Sequence, residues 1–190
     1  MESIRSFIGI EISLENITKL IEIQKQLSKT NADLKLVEPQ NLHITLHFLG
    51  NHSRENLNRI ITALTPVIVR YSVFNFRPQS LGAFPTINNP RVIWVGIGEG
   101  KDKIEEIHTT TRNILNQIGI KLEDRKYHPH ITLARVKSGK NKYLVTQFIN
   151  SCKLSEFITD RAKQIILFKS TLTPQGAIYE KLHIWNLKEI

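Results

Sequence analysis

The residues His43-Ile44-Thr45-Leu46 recur unchanged as His130-Ile131-Thr132-Leu133. Both copies lie in runs of β-forming residues, where successive side chains alternate between faces. Ile44 and Leu46 would then enter a core, with His43 and Thr45 together on the opposite face. Ile131 and Leu133 divide from His130 and Thr132 in the same way. Two imidazoles facing one another suit acid–base chemistry near neutral pH, one neutral and accepting a proton, the other charged and donating one. A threonine hydroxyl two residues along can donate to a phosphate oxygen. The plainer alternative is that the repeat marks two related lobes whose histidines pair only with backbone.

The elements that must carry these motifs can be read along the chain. Residues 5–12 form a first strand, and Ser13 caps a helix over 14–27 in which Leu14, Ile17, Leu20, Ile21 and Gln24 follow a helical period. Residues 42–49 form a strand ended by Gly50-Asn51. Ser53 with Asn56 opens a second helix running towards Arg70 through Pro66. Strands are expected at 73–76 and 91–97, separated by a turn-rich stretch from Gly82 to Pro90. A helix follows at 103–118, closed by Gly119. Residues 130–136 form a strand and 143–150 a short helix. Two last strands, 164–171 and 178–187, are joined by the turn Thr173–Gly176. No linker divides the chain, and the order of elements gives an α+β fold with antiparallel pairing.

At 190 residues, with 41% apolar and 23% charged residues, the chain has a globular composition. Its size buries enough surface to fold without metal or disulfide. A single cysteine, Cys152, points to a reducing compartment. The first twelve residues lack the cleavage site of a signal peptide, and no apolar run is long enough to span a membrane, so a cytoplasmic protein is expected. The net charge of +9 attracts polyanions, of which RNA is the commonest in a cell.

Several rival sites carry less. His128 and His130 with His43 and His47 make a candidate metal set, but no carboxylate or cysteine joins them and Pro129 is a poor spacer. By alternation His47 falls on the face of Thr45. His52, His108 and His183 are assigned to the surface or to helix faces, and Cys152 has no catalytic context. Trp94 and Trp185 suit core packing. Phe84, in Gly82-Ala83-Phe84-Pro85, is the better surface for a stacked base, with Phe7 and Tyr127 also near the proposed site. Arg91, Arg125 and Lys126 can contact backbone phosphates. No phosphate-binding glycine loop is present.

The doubled His-x-Thr resembles the signature of the two-histidine phosphoesterases, in particular the branch of RNA 2′,3′-cyclic phosphodiesterases, also called 2′-5′ RNA ligases. The likeness includes Arg5-Ser6-Phe7-Ile8, Asn41 to Leu46 with Phe48-Leu49-Gly50, Gly82 to Pro85, and Arg91 to Trp94. It continues through Pro129 to Arg135 and Phe168-Lys169-Ser170 before Tyr179. It implies one domain over 1–190 made of two interleaved, pseudo-symmetric lobes, with mainly antiparallel sheets lining a central basic groove and helices outside. It also implies His43 as proton donor to the leaving 3′-oxygen and His130 as proton acceptor from water. Thr45 and Thr132 would hold non-bridging oxygens and Arg135 the phosphate, with Phe84, Phe7 and Arg91 as further substrate contacts. No metal or cofactor is called for. The implied partner is RNA ending in a 2′,3′-cyclic phosphate, tRNA halves included, and the protein is expected to act as a monomer. The same residues would serve ATP-independent 2′-5′ ligation of RNA ends, the reverse reaction. A non-catalytic RNA-end-binding module is the third reading.

Overall fold

The computed structural model describes residues 3–152, 154, 156–174 and 176–189. Among the described residues, ten strands and four helices follow in the order β1 (Ile4–Glu11), α1 (Leu14–Ser28), β2 (Leu34–Leu36), a 3-10 turn (Pro39–Asn41), β3 (His43–His52), α2 (Arg54–Ile68), β4 (Phe74–Phe76), β5 (Pro78–Thr86), β6 (Asn89–Ile97), α3 (Lys101–Gln117), β7 (His130–Val136), α4 (Lys142–Ser151), β8 (Asp160–Ala162), β9 (Gln164–Leu172) and β10 (Ala177–Asn186). The helices start where the serines place them. Ser13 and Ser53 each accept a hydrogen bond from a backbone N–H three residues on, both at 3.2 Å. The buried stripe of α1 is Leu20, Ile23, Gln24 and Leu27. No helix among the described residues is long and apolar enough to cross a membrane.

The main sheet is antiparallel, in the order β10-β9-β1-β3-β7-β6-β5, with β2 also on β7; β4 and β8 pair separately. One face packs on the helices through Ile8, Ile10, Ile44, Val95 and Ile131, joined by Leu20, Ile60 and Ile104. The other face carries a separate small cluster, Phe7, Ile166 and Phe168 with Tyr179. The two motif strands meet at one pair, Ile44↔Ile131. Antiparallel pairing there puts His43 across from Thr132 and Thr45 across from His130. Both isoleucines are 0% exposed, and at about 1.5–3 kcal/mol each their burial fixes the crossing.

Two expectations are corrected. The strand over 42–49 does not end at Gly50: it continues to His52, because Leu49 bulges out of the β1 ladder and Gly50, at φ 80°, takes the left-handed conformation the bulge requires. The stretch from Gly82 to Pro90 is not turn-rich. It forms β5 and the start of β6, closed by a tight turn at residues 87–88. Gly82 serves a close approach, since a Cβ there would lie 2.3 Å from Cη2 of Trp94. Pro85 is tolerated because β5 is an edge strand, and Pro90 because β6 pairs with β7 only from Val92 onward. The strands β2 and β8, three residues each, carry too little pattern to be read from sequence. The turn at Thr173–Gly176 is closed by reciprocal backbone hydrogen bonds between those two residues; Gln175 within it lies outside the described residues.

Candidate active site

Each histidine motif begins from a main-chain carbonyl two residues upstream. His43 donates its Nδ1–H to Asn41 O at 2.7 Å, and His130 donates its own to His128 O at 2.6 Å. A carbonyl can only accept, so the neutral form of both rings is the Nδ1–H tautomer, with the Nε2 lone pair facing away from the backbone. Nε2 of His43 accepts from the Thr45 hydroxyl at 2.8 Å. The 3-10 turn that presents Asn41 is tied down by its side chain, which donates to Ala177 O of β10 at 2.6 Å.

Aromatic rings fix both imidazoles. His43 lies against Phe7 at 4.7 Å between centroids and takes the edge of Tyr179 at 5.4 Å. His130 meets Phe84 edge-on at 5.0 Å, and Trp94 lies beyond at 6.1 Å. Burial among these rings disfavours the charged forms. It pushes His43 down from 6.5 to about 4, opposed by the bond to Asn41 and aided by the field of His130. His130 is also lowered, chiefly by burial; the bond to the His128 carbonyl opposes this, and the charges of the His128 ring and Arg135 add to it. With only the protein's own groups around them, both histidines are therefore neutral at pH 7.

The two strands then make the same irregularity. On β3 the register slips between Ile8↔His47 and Gly9↔Thr45, so Leu46 is extra; on β7 it slips between Ile93↔Ala134 and Trp94↔Thr132, so Leu133 is extra. Each bulge reverses the alternation beyond the motif. After Leu133 it turns Arg135 to the face of His130, level with Val92 and Phe84 and beside Lys35. After Leu46 it turns His47 inward, which corrects its expected place beside Thr45. His47 is 3% exposed, bonds to the Thr111 hydroxyl at 2.7 Å and stacks on His108. His108, assigned to the surface or to a helix face, lies on the buried face of α3 between His47 and Tyr127, and Tyr127 donates its hydroxyl to Thr45 O at 2.9 Å.

The other expected residues divide. Phe84 stands beside His130 on the motif face. Phe7 is 3% exposed, sealed by His43, Phe168 and Tyr179, so it supports an imidazole and offers no free face. Arg91 is the unpaired residue of a bulge between Phe84↔Val92 and Pro85↔Pro90, and no described hydrogen bond or ion pair ties it to the histidines. Trp185 is a core residue, 1% exposed, whereas Trp94 leaves the core for the motif face, directly across from Thr132. A cavity of about 410 Å³ lies instead around α3, between Arg112, Asp124, Arg125, Lys126 and Tyr127, at the back of the site. Sequence reading gave no role to Phe168 or Tyr179. Their signal was alternation: Tyr179 and Lys181 share a strand face, as do Phe168 and Ile166.

The family model described as LigT-like phosphoesterase matches residues 10–94 and again 95–179, one histidine motif in each. The chain belongs to the LigT-like phosphoesterase family. Among its relatives, the RNA 2′,3′-cyclic phosphodiesterase of Methanocaldococcus jannaschii is 38% identical over 95% of this chain and 99% of that protein. The protein of the same name from Aeropyrum pernix is 33% identical over 88% and 94%. The fold matches the crystal structure of TT0787 of Thermus thermophilus at a TM-score of 0.80 and 23% identity, covering 97% of this chain and 98% of that one. It matches E. coli LigT at 0.78 and 21%, over 99% of both. In this LigT-like phosphoesterase the doubled family match and the doubled bulge coincide, so the repeat is structural as well as sequential.

Proposed function

We propose that this LigT-like phosphoesterase hydrolyses the 2′,3′-cyclic phosphate at RNA ends to a 2′-phosphate, with His43 as general acid and His130 as general base. The observation that carries the reading is the pair of Nδ1-anchored imidazoles at the crossing of two identical tetrapeptides. The names of the relatives, the basic charge and Arg135 beside His130 support RNA and phosphate as the ligand. His130 Nε2 takes a proton from water as its oxygen attacks phosphorus. The bond to the 3′-oxygen breaks, and that oxygen takes the proton from His43 Nε2. Thr45 fits this order: its hydroxyl donates to Nε2 of the neutral ring and turns away once that nitrogen is protonated, leaving Nε2–H free to donate. Thr132 and Arg135 stabilise the non-bridging oxygens as charge develops on them. Both copies of the repeat come from one chain and pair within one sheet, so residues 1–190 are read as one domain whose site needs no second subunit.

A second reading is supported by one feature. In-line attack places the nucleophile on the His130 side, and there Phe84 and Trp94 offer ring surface that a water molecule does not need. A ribose hydroxyl of a second RNA, as in joining tRNA halves, would use it. Incubating a short RNA ending in a 2′,3′-cyclic phosphate, with and without an RNA bearing a free 5′-hydroxyl, tests both. The expected result is a 2′-phosphate end, with a 2′-5′-joined product only when the acceptor is present. A 3′-phosphate product, or none from folded protein, would overturn the proposal.

A further inference from the structure

A contact behind the site ties one histidine motif to the chain that leads into the other. Among the described residues β3 and β7 share the single pair Ile44↔Ile131, and the next carbonyl of β3, that of Thr45, accepts the Tyr127 hydroxyl at 2.9 Å. Tyr127 stands three residues before His130, and Thr45 two residues after His43. The Tyr127 ring lies flat on His108 of α3, with centroids 3.8 Å apart and planes within 3°. His108 stacks in turn on His47 of β3 at 4.6 Å, and the Thr111 hydroxyl meets Nε2 of His47 at 2.7 Å. The circuit therefore leaves β3 at His47 and returns to it at Thr45. Burial pushes His47 down to about 3 and His108 to about 4, so the two rings are neutral at pH 7 and stack without charge. Burial, with the Glu105 carboxylate adding to it, pushes the Tyr127 hydroxyl up, so it stays a donor.

Packing alone does not ask for that hydroxyl. A phenylalanine would fill the same space, whereas a buried hydroxyl is costly unless it finds a partner. The partner here is the carbonyl of the residue whose side chain reaches His43. Threonine is stiff at χ1, so the direction of its hydroxyl follows its main chain. Tying Thr45 O to the segment that enters His130 thereby fixes where the Thr45 hydroxyl meets Nε2 of His43, 2.8 Å away. We infer that Tyr127 is a positioning residue: its hydroxyl, seated on the His108–His47 stack, holds Thr45 in register with His43 for the transfer of the proton. This rests on the proposed role of His43 as the acid.

The experiment is a double-mutant cycle of Tyr127→Phe and Thr45→Val, read as the single-turnover rate on a short RNA ending in a 2′,3′-cyclic phosphate. Tyr127→Phe keeps the stacked ring and should lower the rate about tenfold. In the Thr45→Val background it should lower the rate no further, because the hydroxyl it orients is gone. His108→Leu takes away the flat ring beneath Tyr127; it should give the same pattern, and it carries the test if Tyr127→Phe does not fold. An equal loss in both backgrounds would show a purely structural role and overturn the inference, as would an unchanged rate. The nitrogen resonance of His43 Nε2 in the free protein gives a second readout. It should move in Tyr127→Phe in the direction it moves in Thr45→Val, and an unmoved resonance would overturn the inference. If the wild type turns over no RNA, the hydrolytic reading fails, and the Nε2 resonance still decides the positioning role.

Discussion

At the scale of single residues, the burial of His43 poses a problem for the proposed general acid. An imidazole held at about 4 is almost wholly neutral at pH 7, yet His43 must carry a proton to give one away. The substrate supplies the missing charge. A phosphodiester anion bound between the two rings favours imidazolium, so the pKa of His43 rises when the site is filled. The profile of kcat/KM reports the free protein and that of kcat the complex. The basic limb of kcat is therefore expected at higher pH than that of kcat/KM, as steady-state kinetics between pH 4 and 9 would show. Superimposed limbs would mean that the phosphate does not face His43. The Thr45 hydroxyl is free to turn to the phosphate once His43 is protonated, because Nε2 then no longer accepts.

At the scale of elements, the bulges are what place the site, and each leaves carbonyls that the ladder cannot satisfy. Leu133 O accepts from Val37 N at 2.8 Å and from the side chain of Gln24 at 2.9 Å; the same Gln24 nitrogen reaches Val37 O at 2.8 Å. A polar residue on the buried stripe of α1 thereby clamps the strand that carries His130 and Arg135. Replacing Gln24 with leucine should destabilise the fold by about 1–3 kcal/mol in urea unfolding, because buried carbonyls lose their donor. It should also lower kcat more than it changes the stability of the remaining fold would require. Unchanged stability would show that the clamp is dispensable. The sequence made the helices, both motif strands and both pairs of histidine and threonine legible, since these depend on period and capping. It did not reveal the bulges. A bulge shifts phase without changing residue types, which is why His47 reads as a neighbour of Thr45 until the register is known. Trp94 escaped for a related reason: Gly82 looks like a turn residue, yet its missing side chain is the space the indole occupies.

At the scale of the molecule, the two halves are alike in backbone and unlike in chemistry. Both present His-x-Thr from a bulged strand and anchor Nδ1 on a carbonyl. Only one half follows its motif with an arginine, and among the described residues only the other has a hydroxyl on its Nε2. In the proposed mechanism, that asymmetry separates the acid from the base. The central claim is this division of labour, and a substrate whose leaving group needs no proton tests it most directly. Replacing the bridging 3′-oxygen of the cyclic phosphate with sulfur gives a thiolate that departs unassisted. The account predicts that the sulfur substrate restores much of the turnover lost in His43→Ala and little of that lost in His130→Ala. Rescue of His130→Ala instead, or equal failure of both variants, would contradict it.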